Sequence, residues 1–159
     1  MSRKAKVIIL SLIIVLLGFL RDYLFMNTND AFRVVQNGRD LQSFHGRDEF
    51  EFMLNWSTNT FLIAKWIATF IFFGLFFFLS WIIVKMGFQN PTYTKITALS
   101  YVIIIGVTCL LYAYGTIFSW SFGLYDIVHT IMMFGQSFMP LLILVLLFKY
   151  FPKSSEQQS

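Results

Sequence analysis

Cysteine, histidine and charge are all scarce in this 159-residue chain. The single cysteine, Cys109, sits inside an apolar block. That excludes an intrachain disulfide, a CxxC redox pair and a thiolate zinc site, and with them a quinone-coupled thiol oxidoreductase. Only two histidines exist, His45 and His129, and His45 lies in a polar stretch, which argues against a haem held by two histidines within a bundle. Charged residues make up 13% of the chain and apolar ones 57%, against about 25% and roughly 45–50% in soluble domains. An ordinary water-soluble globule is excluded. There is no HExxH, no GxSxG and no glycine-rich phosphate loop, the motifs that would carry metal, nucleophilic or phosphate chemistry. Nor is there a basic stripe of the kind a nucleic acid needs.

What is present is four apolar blocks separated by charged stretches. The first follows Arg3, Lys4 and Lys6 and is uncharged only from Val7 to Leu20, about 21 Å of helix. A bilayer core of about 30 Å needs roughly 20 residues, so the span is expected to continue through Arg21 and Asp22 and cover 7–26. No small-x-small cleavage site follows Leu20, so an uncleaved anchor is expected. The second span reads as 61–84, with Ser57, Thr58, Asn59 and Thr60 available to cap its start and Lys85 closing it. A polar turn with Gly87, Asn90 and Pro91 leads to a third span, 96–118. A Ser, Trp and Gly turn leads to a fourth, 125–148, and the tail from Pro152 is polar.

Lysine and arginine near span ends favour the cytoplasm. With the N-terminus inside, Arg3, Lys4, Lys6, Lys85, Lys95, Lys149 and Lys153 are cytoplasmic, against Arg21, Arg33, Arg39, Arg47 and Lys65 outside. Both termini are therefore expected in the cytoplasm. Tyr23, Trp56, Trp66, Tyr112, Tyr114, Trp120 and Tyr125 make up an aromatic belt suited to a headgroup layer. The outer loop, 27–60, is about 35 residues, below the ~40 at which an unstapled core fails. Three arginines against five carboxylates leave it a net −2. Asp30 to Gly38 reads as a two-turn helix with an N-cap and a terminal glycine. Phe50, Met53 and Leu54 repeat at helical spacing. Both pieces are expected on the bundle or membrane surface.

Polar groups inside a span are costly and usually face protein. Arg21, Asp22, Lys65, Asp126 and His129 are expected in one layer near the outer side. Either they make a charged pocket, with Arg21 or Lys65 pairing Asp22 or Asp126, or they form a structural network with snorkelling side chains. His129 follows Asp126 by one turn, so the pair is either a proton relay or a hydrogen-bonded histidine. Gln136 and Ser137 precede Pro140, which frees a carbonyl one turn earlier. A kinked helix with Gln136 bonded across the bundle, or a gate, fits that pattern. Gly106 and Gly135 offer small surfaces for close helix approach. Cys109 and His129 are expected at mismatched depths, so no catalytic site is assigned. His45, Asp48 and Glu49 make too weak a set for a metal site; no metal and no cofactor are expected.

The order of Arg21, Asp22, Leu24, Phe25, Asn27 and Asn29 after the first span resembles small bacterial membrane proteins associated with exosortases, the membrane transpeptidases that sort proteins to the cell surface. Lys65 and Trp66 opening the second span belong to the same pattern, as do Gly135, Gln136, Ser137 and Pro140 in the fourth. The resemblance implies an accessory partner, with the Cys, Arg and His chemistry in a separate exosortase. It also implies that Arg21, Asp22, Asn27 and Asn29 form a fixed polar junction, where the asparagines turn the chain and bond backbone groups.

The expectation is thus an all-α, four-helix transmembrane bundle of one domain in the bacterial inner membrane. Its partners are the lipid bilayer and an exosortase-like or other integral membrane protein, with no nucleic acid. Its role is that of an accessory or scaffolding subunit in protein sorting or export. The alternative is a small transporter or lipid-handling protein using Asp126, His129 and Gln136.

Overall fold

A computed structural model describes residues 2–38, 45–117 and 124–150. Among them every regular element is helical. The elements are α1 (Arg3–Gln36), a 3-10 helix (Asp48–Asn55), α2 (Thr58–Phe88), α3 (Pro91–Ile117), α4 (Leu124–Gly135) and α5 (Met139–Tyr150). Three helices, α1, α2 and α3, are long and apolar enough to cross a membrane, and α4 with α5 makes a fourth crossing if the bent pair is one span. The chain is an all-α, multi-pass membrane protein. The Ser, Trp and Gly turn, the tail from Pro152, and Arg39, Asp40, Trp120 and Lys153 lie outside the described residues.

Three expected boundaries differ in the structure. Gly87 lies within α2 rather than in the α2–α3 turn, and α3 opens at Pro91 rather than near 96, because proline suits the first turn of a helix. The first helix does not end near Met26, and no separate helix begins at Asp30: α1 runs unbroken to Gln36. No glycine or proline lies between Arg21 and Gln36, so nothing there breaks the backbone ladder, and Asn27 and Asn29 are helical rather than turn residues. The stop comes at Gly38, which takes φ 84, a left-handed conformation that glycine adopts freely. At 34 residues, α1 is about 51 Å long and outreaches the ~30 Å hydrocarbon layer.

The fourth span also differs from expectation. Instead of one kinked helix, α4 and α5 meet at a break with a 62° bend. Pro140 is not in a helix interior but in the first turn of α5, where its missing N–H leaves no bond unmade. Ser137 makes the corner. Its hydroxyl donates to the Phe134 carbonyl at 2.7 Å and accepts from the Met139 N–H at 3.2 Å.

The chain divides into two compact units, Val15–Phe72 and Met1–Ile14 with Phe73–Ser159. The first is held by aromatic contacts. Phe25 meets Phe72 at 6.1 Å between centroids, and Phe61 meets Phe32 at 5.4 Å and Trp56 at 5.3 Å. Ser57 caps α2 as expected, accepting the Thr60 N–H at 3.2 Å.

The other unit centres on Tyr101, whose ring packs against Phe73 and Phe77 at 5.5 and 5.4 Å. Its hydroxyl shares a 2.9 Å hydrogen bond with Ser80, and both side chains are buried. At one end Tyr93 stacks on Phe148 at 4.3 Å. Arg3 donates to the carbonyls of Met86 and Gly87, groups that have no partner within α2. The α2–α3 turn is closed by Asn90, whose side chain accepts the Thr92 N–H at 2.8 Å, with Pro91 opening α3.

Gly135 lies where a Cβ would stand 2.8 Å from the Phe73 ring and 2.9 Å from Ile104, whereas a Cβ on Gly106 would meet nothing within 4 Å. Close approach therefore uses Gly135 and not Gly106. Gly135→Ala is expected to destabilise the protein by about 1–3 kcal/mol through overpacking, and Gly106→Ala to leave stability unchanged or raised, as read by thermal unfolding in detergent.

Candidate functional site

Of the residues singled out in the sequence, Arg21, Asp22, Asn27, Asn29, Lys65 and Trp66 fall in the Val15–Phe72 unit. Asp126, His129, Gln136, Ser137 and Pro140 fall in the other.

In the first group Arg21 pairs with Asp22 at 2.6 Å, the arginine side chain 8% exposed and the aspartate 66%. Adjacent helical residues point in different directions, so the guanidinium is drawn inward while the carboxylate faces out. The guanidinium also lies 5.1 Å from the Phe25 ring centroid, a cation–π placement that suits a desolvated arginine. Lys65 does not complete an ion pair with Asp22; its ammonium sits over the Phe32 ring at 5.2 Å. Trp66 stacks on Phe70 at 5.9 Å and is partly exposed.

Asn27 is buried and works in both directions. Its amide donates to the Tyr23 carbonyl at 2.8 Å, and its side-chain oxygen accepts the Arg47 backbone N–H at 3.0 Å. The latch has two further bonds that sequence reading missed. Asp30 accepts the His45 backbone N–H at 2.7 Å while pairing with Arg33 at 2.7 Å, and the Tyr23 hydroxyl donates to Glu49 at 3.1 Å. Phe50 packs edge-on against Tyr23 at 5.7 Å. The segment after residue 44 is thus fastened along α1 over two helical turns. Asn29 is exposed and stands outside this latch. A helical spacing of three or four from Tyr23 to Asn27 to Asp30 was the available signal, since it sets all three on one face.

In the second group Asp126 and His129 stand on the exposed part of α4. Gln136 is 2% exposed at the α4–α5 corner, and its backbone N–H closes α4 on the Met132 carbonyl at 3.1 Å. Among the described residues no buried side-chain nitrogen or oxygen lacks a hydrogen-bond partner, and no group of three or more His, Cys, Asp and Glu is placed to hold a metal ion. Cys109 is exposed with a free thiol.

No family model matches the chain, and neither a curated protein nor a solved structure matches it. In the Val15–Phe72 unit the singled-out residues build an ion pair with one exposed carboxylate and a polar latch along α1.

Asn27→Ala is expected to cost about 1–3 kcal/mol, because it strips the Arg47 N–H of its acceptor in a part-buried setting. Asn29→Ala should change stability by less than about 0.5 kcal/mol, as for other surface sites. Thermal unfolding followed by circular dichroism separates the two.

Proposed function

We propose that this protein is an accessory or scaffolding subunit of a bacterial inner-membrane assembly for protein sorting or export, with both termini in the cytoplasm, and that it acts by association rather than by chemistry. The observation that carries this reading is the outward-facing Asp22 carboxylate held by a buried Arg21. A carboxylate fixed in place by a desolvated guanidinium is preorganised for a partner's donor and loses little freedom on binding. The segment after residue 44, latched to Asn27 and Asp30, lends a further fixed surface on α1. The exosortase-associated pattern of Arg21, Asp22, Asn27 and Asn29 supplies the class of partner.

A second reading, a small transporter or lipid-handling protein, draws on the α4–α5 break. Broken helices in membranes occur where backbone lines a cavity or is buried in protein. Gln136 stands at that break.

Gentle detergent extraction with mass spectrometry of co-purifying proteins tests the first reading: an integral-membrane partner is expected, and its recovery is expected to fall at least tenfold with Asp22→Ala or Arg21→Ala. Recovery of the chain alone, or loss of the partner only with Asp126→Asn and His129→Ala, would overturn it. The transporter reading requires that a cysteine at Gln136, in a Cys109→Ser background, react with a water-soluble maleimide in intact membranes. Under the association reading it stays unlabelled, and Cys109→Ser alone is silent.

A further inference from the structure

Residues three apart eclipse one another in a 3-10 helix, so the helix Asp48–Asn55 has three faces. The first carries Phe50 and Met53 and leads to Trp56; Phe50 is buried on Tyr23, and Trp56 packs on Phe61. The second carries Asp48, Glu51 and Leu54. The third carries Glu49, Phe52 and Asn55, all exposed. Phe52 leaves 55% of its surface uncovered, with its ring set edge-on to Trp56 at 5.7 Å.

What covers Phe52 follows from the surface it adjoins. Leu16, Phe19, Tyr23 and Met26 recur at spacings of three and four, which makes them one stripe of α1, and all four are exposed, Phe19 at 70% and Met26 at 76%. They belong to a helix apolar enough to cross a membrane, so lipid covers that stripe. Tyr23 is its link to the 3-10 helix, through the Phe50 ring and the Glu49 carboxylate. Along α1, Tyr23 lies about 30 Å from Arg3, the thickness of the hydrocarbon layer. With the basic cluster at one headgroup level, Tyr23 stands at the other, where tyrosine and tryptophan collect. Charge narrows the lipid. Within residues 45–57, Asp48, Glu49 and Glu51 are exposed beside the one cation Arg47, a balance that anionic headgroups repel and zwitterionic ones tolerate.

We infer that the 3-10 helix is a membrane-surface element: Phe52, backed by Trp56, enters the headgroup–acyl boundary of a zwitterionic leaflet, while Asp48 and Glu51 on the next face stay in water and Glu49 is held at the headgroup level by the Tyr23 hydroxyl. The contact fixes the depth of α1 and stands whether or not the association reading holds.

The test uses the full chain with Cys109→Ser, a nitroxide on Phe52→Cys or on Asp48→Cys, and vesicles of phosphatidylcholine and phosphatidylethanolamine. The label at 52 is expected to collide more with oxygen than with a water-soluble nickel complex and to report a depth of about 5–10 Å, as for interfacial helices. The label at 48 is expected to show the reverse preference. A label at 52 as open to nickel as that at 48, or shielded from both quenchers by protein, overturns the inference. Replacing half the lipid with phosphatidylglycerol should move the label at 52 toward water; an unchanged depth overturns the assignment to a zwitterionic surface. A chain with Phe52 intact and Trp56 as the only tryptophan gives a second reading. Its fluorescence should be quenched more by lipid brominated near the headgroup than by lipid brominated near the chain end, and equal or inverted quenching counts against the placement.

Discussion

Hydrocarbon offers no hydrogen bonds, so every polar group that leaves water in this protein must find its partner within the chain. The most direct solution is local. Ser11, Thr28, Thr97, Ser100 and Thr108 each return a hydroxyl to the carbonyl four residues earlier at 2.7–2.9 Å, which lets small polar residues sit on apolar helices without a second helix. Ser80 and Tyr101 take the other route and satisfy one another between α2 and α3. Net worth of about 1 kcal/mol is ordinary for such a bond, but leaving either hydroxyl bare would cost more than the bond contributes. The pair therefore fixes which faces of the two helices meet more than it adds stability.

Aromatic side chains supply the shape that the sparse polar groups cannot. Helices in lipid gain nothing from hydrophobic burial against one another, so association depends on packing. The phenylalanines of α2 serve both units: Phe61 and Phe72 lie in one core, Phe73 and Phe76 in the other. Gly135 is the complement of this bulk, since the Phe73 ring and Ile104 occupy the space a side chain there would need. Flat rings and one absent methyl group together bring α4 close to its neighbours.

Features set by neighbouring residues were legible in the sequence. The Ser57 cap, the glycine stop at Gly38 and the Arg21–Asp22 pair all depend on residues within a few positions of one another. Features set by distant residues were not. The exosortase-associated resemblance implied a turn at Asn27, yet its carboxamide is used to hold Arg47, twenty positions later, and the helix continues through it. Pro140 announced a disruption, but its position relative to the break depended on Ser137 closing the corner. Lys65 was expected among carboxylates because opposite charges attract; an aromatic face took the ammonium instead, a choice made by the packing of Phe32 beside α2. Ser80 and Tyr101 carried no signal beyond being polar residues in apolar runs.

The Arg3 guanidinium bound to the carbonyls of Met86 and Gly87 joins positions 83 residues apart. Translation at ~5–20 residues per second places the second of these in reach about 4–17 s after the first. The N-terminal anchor must therefore wait, unclamped, while the next helix is threaded through the insertion machinery. Its hold is acquired only as α2 is completed, so the start of the chain is fastened by the far end of the second long helix rather than by its own neighbours.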